Sequence, residues 1–175
     1  MTPVRVGPGQ VFHRFHSPSW ASLPLSGAGA ARNGGRFNRP GVEALYLARE
    51  VDTALAEYTQ GASITPPGTL VAYSVDVSGV VDFSASYDPA LWPPLWAEAG
   101  CDWKYIARIE RRDPPSWLLG DELAAAGYRG LLYPSYRRFG GMDLVLFIAL
   151  LDASCRVEPY DPHGQLPRDR SSWSP

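Results

Sequence analysis

The chain has 175 residues with 45% hydrophobic and 19% charged side chains, enough apolar material for one folded domain and too much for global disorder. Its formal net charge of −2 argues against duplex DNA or an anionic membrane as the main partner. Of the 16 basic residues only Lys104 is lysine, so any anion contact is expected to come from arginine.

Val11 to His16 alternates and predicts a first strand. Residues 17 to 40 read as a long loop of Ser, Gly, Pro and Asn, and a loop of that length in a compact domain is usually functional. Ala44 to Ala48 predicts a short buried strand. Val51 to Gln60 predicts a helix, with Asp52 as its N-cap and Gly61 as its stop. Leu70 to Val77 and Val80 to Phe83 predict two further strands. Asp88 to Ala99 is aromatic and partly helical, interrupted by Pro93 and Pro94. A helix opening at Ser116 or Asp121 ends at Gly127, followed by strands over Gly130 to Pro134 and Asp143 to Leu151. Residues 1–158 are expected to form the domain, and 159–175 a tail disordered at its end. Helices and strands mix without regular βαβ alternation. The expected fold is therefore a single α+β domain, with mixed or bent sheets and flanking helices.

Cys101 and Cys155 fit no zinc spacing and are expected to be reduced. His13 and His16 point to opposite faces of a strand, and His163 lies in the tail, so no metal site is expected. The first ten residues lack the apolar core of a signal peptide. The longest apolar run, Leu144 to Leu151, falls far short of the ~20 residues that span a bilayer. A cytoplasmic protein with no membrane partner is expected. There is no Gly-x-Gly-x-x-Gly after a strand and no Gly-Lys-Ser/Thr loop, which removes the two common nucleotide-binding motifs.

The most pointed segment is Gly34-Gly35-Arg36-Phe37-Asn38-Arg39-Pro40-Gly41, followed by Tyr46 and Glu57. Glycines let backbone approach a ligand, arginine matches phosphate oxygens, and a carboxylate can steady positive charge on a ribose. Each residue also has an ordinary reading. Arg36 is either a solvated loop arginine or a pyrophosphate clamp. Arg14 shares a face with Phe12, so it is either exposed or buried and in need of an anion. Tyr46 either packs in the core or stacks on a ring. Glu57 falls off the apolar stripe of Val51, Ala54, Leu55 and Tyr58, as a solvated glutamate would. Ser135 closes a buried strand but lacks a nucleophile elbow. Trp92, Trp96, Trp103 and Trp117 with Tyr105 form a core or interface cluster.

Together these residues resemble the RES domain family. The matching text is His13-Arg14-Phe15, Gly34-Gly35-Arg36-Phe37-Asn38-x-x-Gly41, Ala44 to Ala48, Thr53-Ala54-Leu55-x-Glu57, and Tyr133-Pro134-Ser135 followed by Leu144 to Phe147. Order and spacing agree over roughly residues 11–150, although Tyr136-Arg137-Arg138 after the serine departs from the family's smaller residue. The resemblance implies a fold like that of ADP-ribosyltransferase toxins and membership of a type II toxin–antitoxin pair. It implies NAD as substrate, cleaved by hydrolysis or phosphorolysis or used to move ADP-ribose to a protein acceptor. It implies Glu57, Arg36 and Ser135 as catalytic residues, and Arg14, Arg36, Asn38, Tyr46 and Ser135 as NAD-binding residues. The implied partner is a helix-turn-helix, Xre-like antitoxin that blocks the active site, without direct nucleic-acid contact. Two other readings stand beside it. One is a non-catalytic interaction module presenting segment 92–117. The other is an RNase-type toxin, against which the near-neutral charge and the absence of a catalytic histidine pair count.

Overall fold

A computed structural model describes residues 1–171. Its frame is a six-stranded sheet built around two long strands, β1 (Pro3–His16) and β3 (Thr69–Asp82), paired antiparallel with Phe12 opposite Tyr73 and His16 opposite Thr69. The strand expected from Val11 thus begins at Pro3. The register slips between Val6 and Gln10, where Gly9 takes φ +90°. The two strands expected over 70–83 are one. Gly79, at φ +79°, is the extra residue of a bulge that bends β3 without ending it.

β2 (Ala44–Ala48) runs antiparallel to β5 (Met142–Phe147), β5 antiparallel to β4 (Gly130–Pro134), and β4 parallel to the end of β3. β6 (Arg156–Pro159) adds to β3, with Tyr73 opposite Pro159. β1 meets β2 through one residue pair, His13 with Ala48. The strands therefore close almost into a ring that opens between β1 and β2.

β4 and β5 are covered on both faces, which explains their unbroken apolar sequence. Leu132, Leu144 and Leu146 face a cluster with Phe12, Leu45 and Val75. Leu131 and Val145 face a second cluster with Phe37, Phe83, Trp96 and Leu119. Trp92, Trp96 and Phe83 pack with centroids 4.5–4.9 Å apart, and Trp96 is fully buried. The start of the tryptophan-rich segment is thus core.

Loop 17–40 contains a 3-10 turn (Pro18–Trp20) and helix α1 (Ala28–Asn33). Helix α2 (Val51–Thr59) has Glu50 at its N-cap in place of Asp52, and Gln60 in left-handed conformation closes it one residue early. A short 3-10 helix covers Pro94–Glu98; α3 (Trp103–Tyr105) continues into a wide turn over Ile106–Glu110. Helix α4 (Pro115–Ala125) starts at a proline in its first turn, where a missing N–H costs nothing, ahead of both expected openings. β5 ends at Phe147 and gives way to a 3-10 turn over Ile148–Leu150, shortening the strand expected to reach Leu151. The 158/159 boundary falls within β6. Beyond it Leu166 packs on the core, and the Arg170 guanidinium lies 3.7 Å over the Trp20 ring. The end of the expected tail, residues 172–175, lies outside the described residues.

Candidate active site

The glycine-rich arc after α1 is a rigid scaffold. Gly35 N–H donates to Asn38 O at 2.9 Å, and Trp117 Nε1–H donates to Gly35 O at 2.7 Å. Asn38 is 1% exposed; its amide donates to the carbonyls of Ala30, Arg39 and Val42 at 2.9–3.1 Å. Its Oδ1 accepts from the Tyr46 hydroxyl at 2.7 Å, and that hydroxyl accepts from Phe37 N–H at 2.9 Å. Asn38 therefore spends its hydrogen-bonding groups inside the protein. Gly35 is dictated by space: a Cβ there would lie 2.5 Å from both Asn38 Oδ1 and the Tyr46 hydroxyl. Burial pushes the Tyr46 phenol well above its ordinary pKa, so it stays protonated and donating.

Arg36 projects from this scaffold. Its Nη1 donates to Cys101 O at 2.8 Å and Ala99 O at 3.3 Å, and its guanidinium lies 4.3 Å over the Tyr136 ring. No carboxylate pairs with it among the described residues. Arg14 on β1 is half-buried and donates only to Ser26 O, at 3.3 Å; it too lacks a carboxylate. Burial lowers its pKa, the mark of a cation short of counter-charge. Nearby, the Tyr73 hydroxyl donates to Pro24 O at 2.9 Å, so His16 Nε2 must carry the proton in its 2.6 Å bond to Tyr73. Burial first, and the Arg14 charge second, push His16 down to about 4.

Glu57 lies on the inward face of α2. The wheel places the apolar stripe at Val51, yet Val51 is 39% exposed while Thr53 is fully buried. Glu57 sits one turn beyond Thr53. The inward face is polar because it borders a cleft, and hydrophobic periodicity does not report such a face. Glu50 Oε2 accepts from Thr53 Oγ1 at 2.9 Å and Met142 N–H at 3.0 Å, which ties the start of α2 to β5. Ser135 Oγ donates to Glu57 Oε1 at 2.9 Å while accepting from the N–H groups of Arg137 and Arg138. The backbone donors orient the hydroxyl toward the carboxylate.

A cleft of about 640 Å³ opens along the gap between β1 and β2. That lies within the ~300–1,000 Å³ range of small-molecule and cofactor sites. Arg14, Arg36, Tyr46 and Glu57 all line it; Ser135 reaches it through Glu57, and Asn38 stands behind the wall. Sequence reasoning did not place four charged lining residues in a site: Lys104, Arg108, Arg137 and Asp143. With Arg14 and Arg36, the cations outnumber the carboxylates Glu57 and Asp143, so an anion-attracting cleft sits within a chain of net charge −2. Burial, then Arg137 and Arg108, lower the Lys104 pKa. Asp143 carried a readable signal, being the one carboxylate within the apolar strand Met142 to Phe147. Burial, reinforced by Glu57, holds its carboxyl well above the usual carboxylate range. Among the described residues no cluster of three or more His, Cys, Asp or Glu side chains is placed to hold a metal, and no helix is long and apolar enough to cross a membrane.

No curated protein matches the chain by sequence. Among solved structures, the crystal structure of the M. tuberculosis MbcT–MbcA toxin–antitoxin complex superposes with a TM-score of 0.59 at 21% identity, covering 89% of this chain and 84% of that one. The fold is thus the expected single α+β domain, shared with a chain of that toxin–antitoxin complex. The family model described as the RES domain matches residues 11–169. The chain belongs to the RES domain family.

Proposed function

We propose that the protein is the toxin of a toxin–antitoxin pair and that it binds NAD in the β1–β2 cleft and cleaves its nicotinamide–ribose bond. One observation carries this reading. Two arginines without carboxylate partners, Arg14 and Arg36, face the same cleft as a serine-oriented carboxylate, Glu57. The arginines suit the two phosphates of a dinucleotide, and fixing the pyrophosphate raises the fraction of reactive poses. Tyr46 packs on the nicotinamide end. Asn38 contributes to binding by holding the arc that carries Arg36.

In the reaction the ribose C1′–N bond breaks and its electron pair passes to the pyridinium nitrogen. Nicotinamide leaves neutral, and the ribose acquires oxocarbenium character. Glu57, preorganised by Ser135, stabilises that charge; such electrostatic preorganisation is commonly worth a few kcal/mol of barrier. An acceptor oxygen then bonds to C1′ and loses its proton. Water gives ADP-ribose, inorganic phosphate gives a phosphorylated ADP-ribose, and a protein side chain gives an ADP-ribosylated target. No residue here serves as a covalent nucleophile. The proposed partner is a helix-turn-helix, Xre-like antitoxin whose end segment fills the cleft, and the proposed compartment is the cytoplasm.

The test is NAD-dependent thermal stabilisation of the purified chain, read beside growth on induced expression. A shift lost in Arg36→Ala, with growth arrest lost in Glu57→Gln, supports the reading. Absence of any shift with NAD or ADP-ribose contradicts it.

A further inference from the structure

Asp143 is the cleft carboxylate that the proposed chemistry leaves unused. It sits in mid-sheet on β5, opposite Ala48 of β2 and Tyr133 of β4, and is 3% exposed. Its side chain lines the cleft beside Glu57. Its carboxyl stands beside Glu57 and Ser135, and its Oδ2 is buried without a donor to accept from, alone among side-chain oxygens and nitrogens of the described residues. A buried polar atom with no partner in a folded protein calls for an explanation. A purely structural site would be filled by an apolar side chain, as at Leu144 and Val145. A carboxyl oxygen that accepts no hydrogen bond in a ligand cleft instead has the form of a group awaiting a ligand donor.

We propose that Asp143 is a further substrate-binding residue, whose Oδ2 hydrogen-bonds a sugar hydroxyl of the dinucleotide beside Glu57. This rests on the NAD reading of the same cleft. A ribose diol suits the arrangement, since each hydroxyl both donates and accepts. Glu57 takes a hydrogen as an acceptor, and Asp143 Oδ2 accepts from the neighbouring hydroxyl while the Asp143 proton is shared with Glu57. The surroundings keep Asp143 neutral. Burial first, then Glu57 on α2 through its charge and through the hydrogen bond a protonated Asp143 gives it, and Glu50 at the N-cap oppose a charge there, and only the Ser135 hydroxyl favours it. The cations Arg36, Lys104 and Arg137 line the same cleft. Once ionised, Asp143 places a second negative charge beside Glu57 and against a substrate bearing two phosphates, so binding weakens at alkaline pH.

The experiment measures kcat/KM for NAD between pH 6 and 9.5 in the wild type, Asp143→Asn and Asp143→Leu. It also compares NAD with an analogue lacking one hydroxyl on the nicotinamide ribose. The wild type is expected to lose activity through the alkaline range. Asp143→Asn is expected to be several-fold weaker at neutral pH and free of that alkaline loss. Asp143→Leu is expected to raise KM by about tenfold, the scale of one lost hydrogen bond, and to discriminate less against the deoxy analogue. Asn matches Asp in shape, so the pH profile remains decisive if the Leu variant fails to fold. An alkaline limb unchanged in Asp143→Asn overturns the inference, as does undiminished preference for NAD over the deoxy analogue in either variant. If those arms fail while the wild type consumes NAD, this inference alone falls. A wild type that neither consumes NAD nor binds ADP-ribose removes the NAD reading and this one together.

Discussion

Replacing Glu57 by glutamine separates charge from shape. Glutamine has nearly the same volume, and its side-chain carbonyl can still accept the Ser135 hydroxyl at the position where Glu57 Oε1 accepts it at 2.9 Å. The change removes one negative charge from beside Asp143, whose raised pKa owes its second-largest part to Glu57. The fold therefore loses little, within about 1 kcal/mol, the scale of one altered hydrogen bond. For a chain of this size that is a melting shift of about 2–4 °C. The chemical step loses the preorganised charge facing the oxocarbenium-like ribose, worth about 3–4 kcal/mol or a factor of about 10²–10³ in kcat. KM for NAD should change little, because the pyrophosphate is held by Arg14 and Arg36. Nicotinamide release followed by chromatography, beside a circular-dichroism melt, reads both quantities. A Glu57→Gln protein that is fully active, or that fails to fold, refutes the reasoning.

Gly35→Ala should destabilise the fold by about 3 kcal/mol in a thermal melt, because its Cβ meets Asn38 Oδ1 and the Tyr46 hydroxyl at 2.5 Å with no space to relax; unchanged stability would contradict that packing. Tyr46→Phe strands Phe37 N–H and Asn38 Oδ1 in the interior and should cost about 2–4 kcal/mol by urea titration. Stability should also depend on pH through two opposed groups. His16, depressed to about 4, adds stability that is complete above its unfolded value near 6.5 and is lost as pH falls toward 4. Asp143, raised to about 8, adds stability that is complete below its unfolded value near 4 and is lost as pH rises to 8. The slopes, each about 1.4 kcal/mol per unit at most, offset one another between pH 4 and 6.5 and leave a net decline between 6.5 and 8. Urea midpoints should fall in that upper window for the wild type and stay level there in Asp143→Asn.

The sequence disclosed the parts of this protein that follow local rules. β2 and β4 occupy their expected residues because both are short apolar runs buried on both faces. Gly79 looks like a break in one dimension and splits β3 into two expected strands, whereas pairing with β1 carries the chain through a bulge. The family resemblance singles out Arg36, Glu57 and Ser135, and the fold brings Arg36 and Glu57 to one cleft with Ser135 bonded to Glu57. The resemblance implies Asn38 as an NAD-binding residue, and the fold shows its buried amide bracing the loop that carries Arg36, which only the three-dimensional hydrogen bonds reveal. Lys104, Arg108, Arg137 and Asp143 escaped notice because they converge from distant segments, and only the folded chain gives the cleft its positive balance.

The most direct test of a NAD-cleaving cleft is chromatography of NAD incubated with the purified chain, with and without inorganic phosphate, against a Glu57→Gln control. Release of nicotinamide by the wild type, with ADP-ribose or its phosphorylated form as the second product, is the expected result. Intact NAD in every reaction, including one supplemented with cell lysate as a source of protein acceptors, would contradict it.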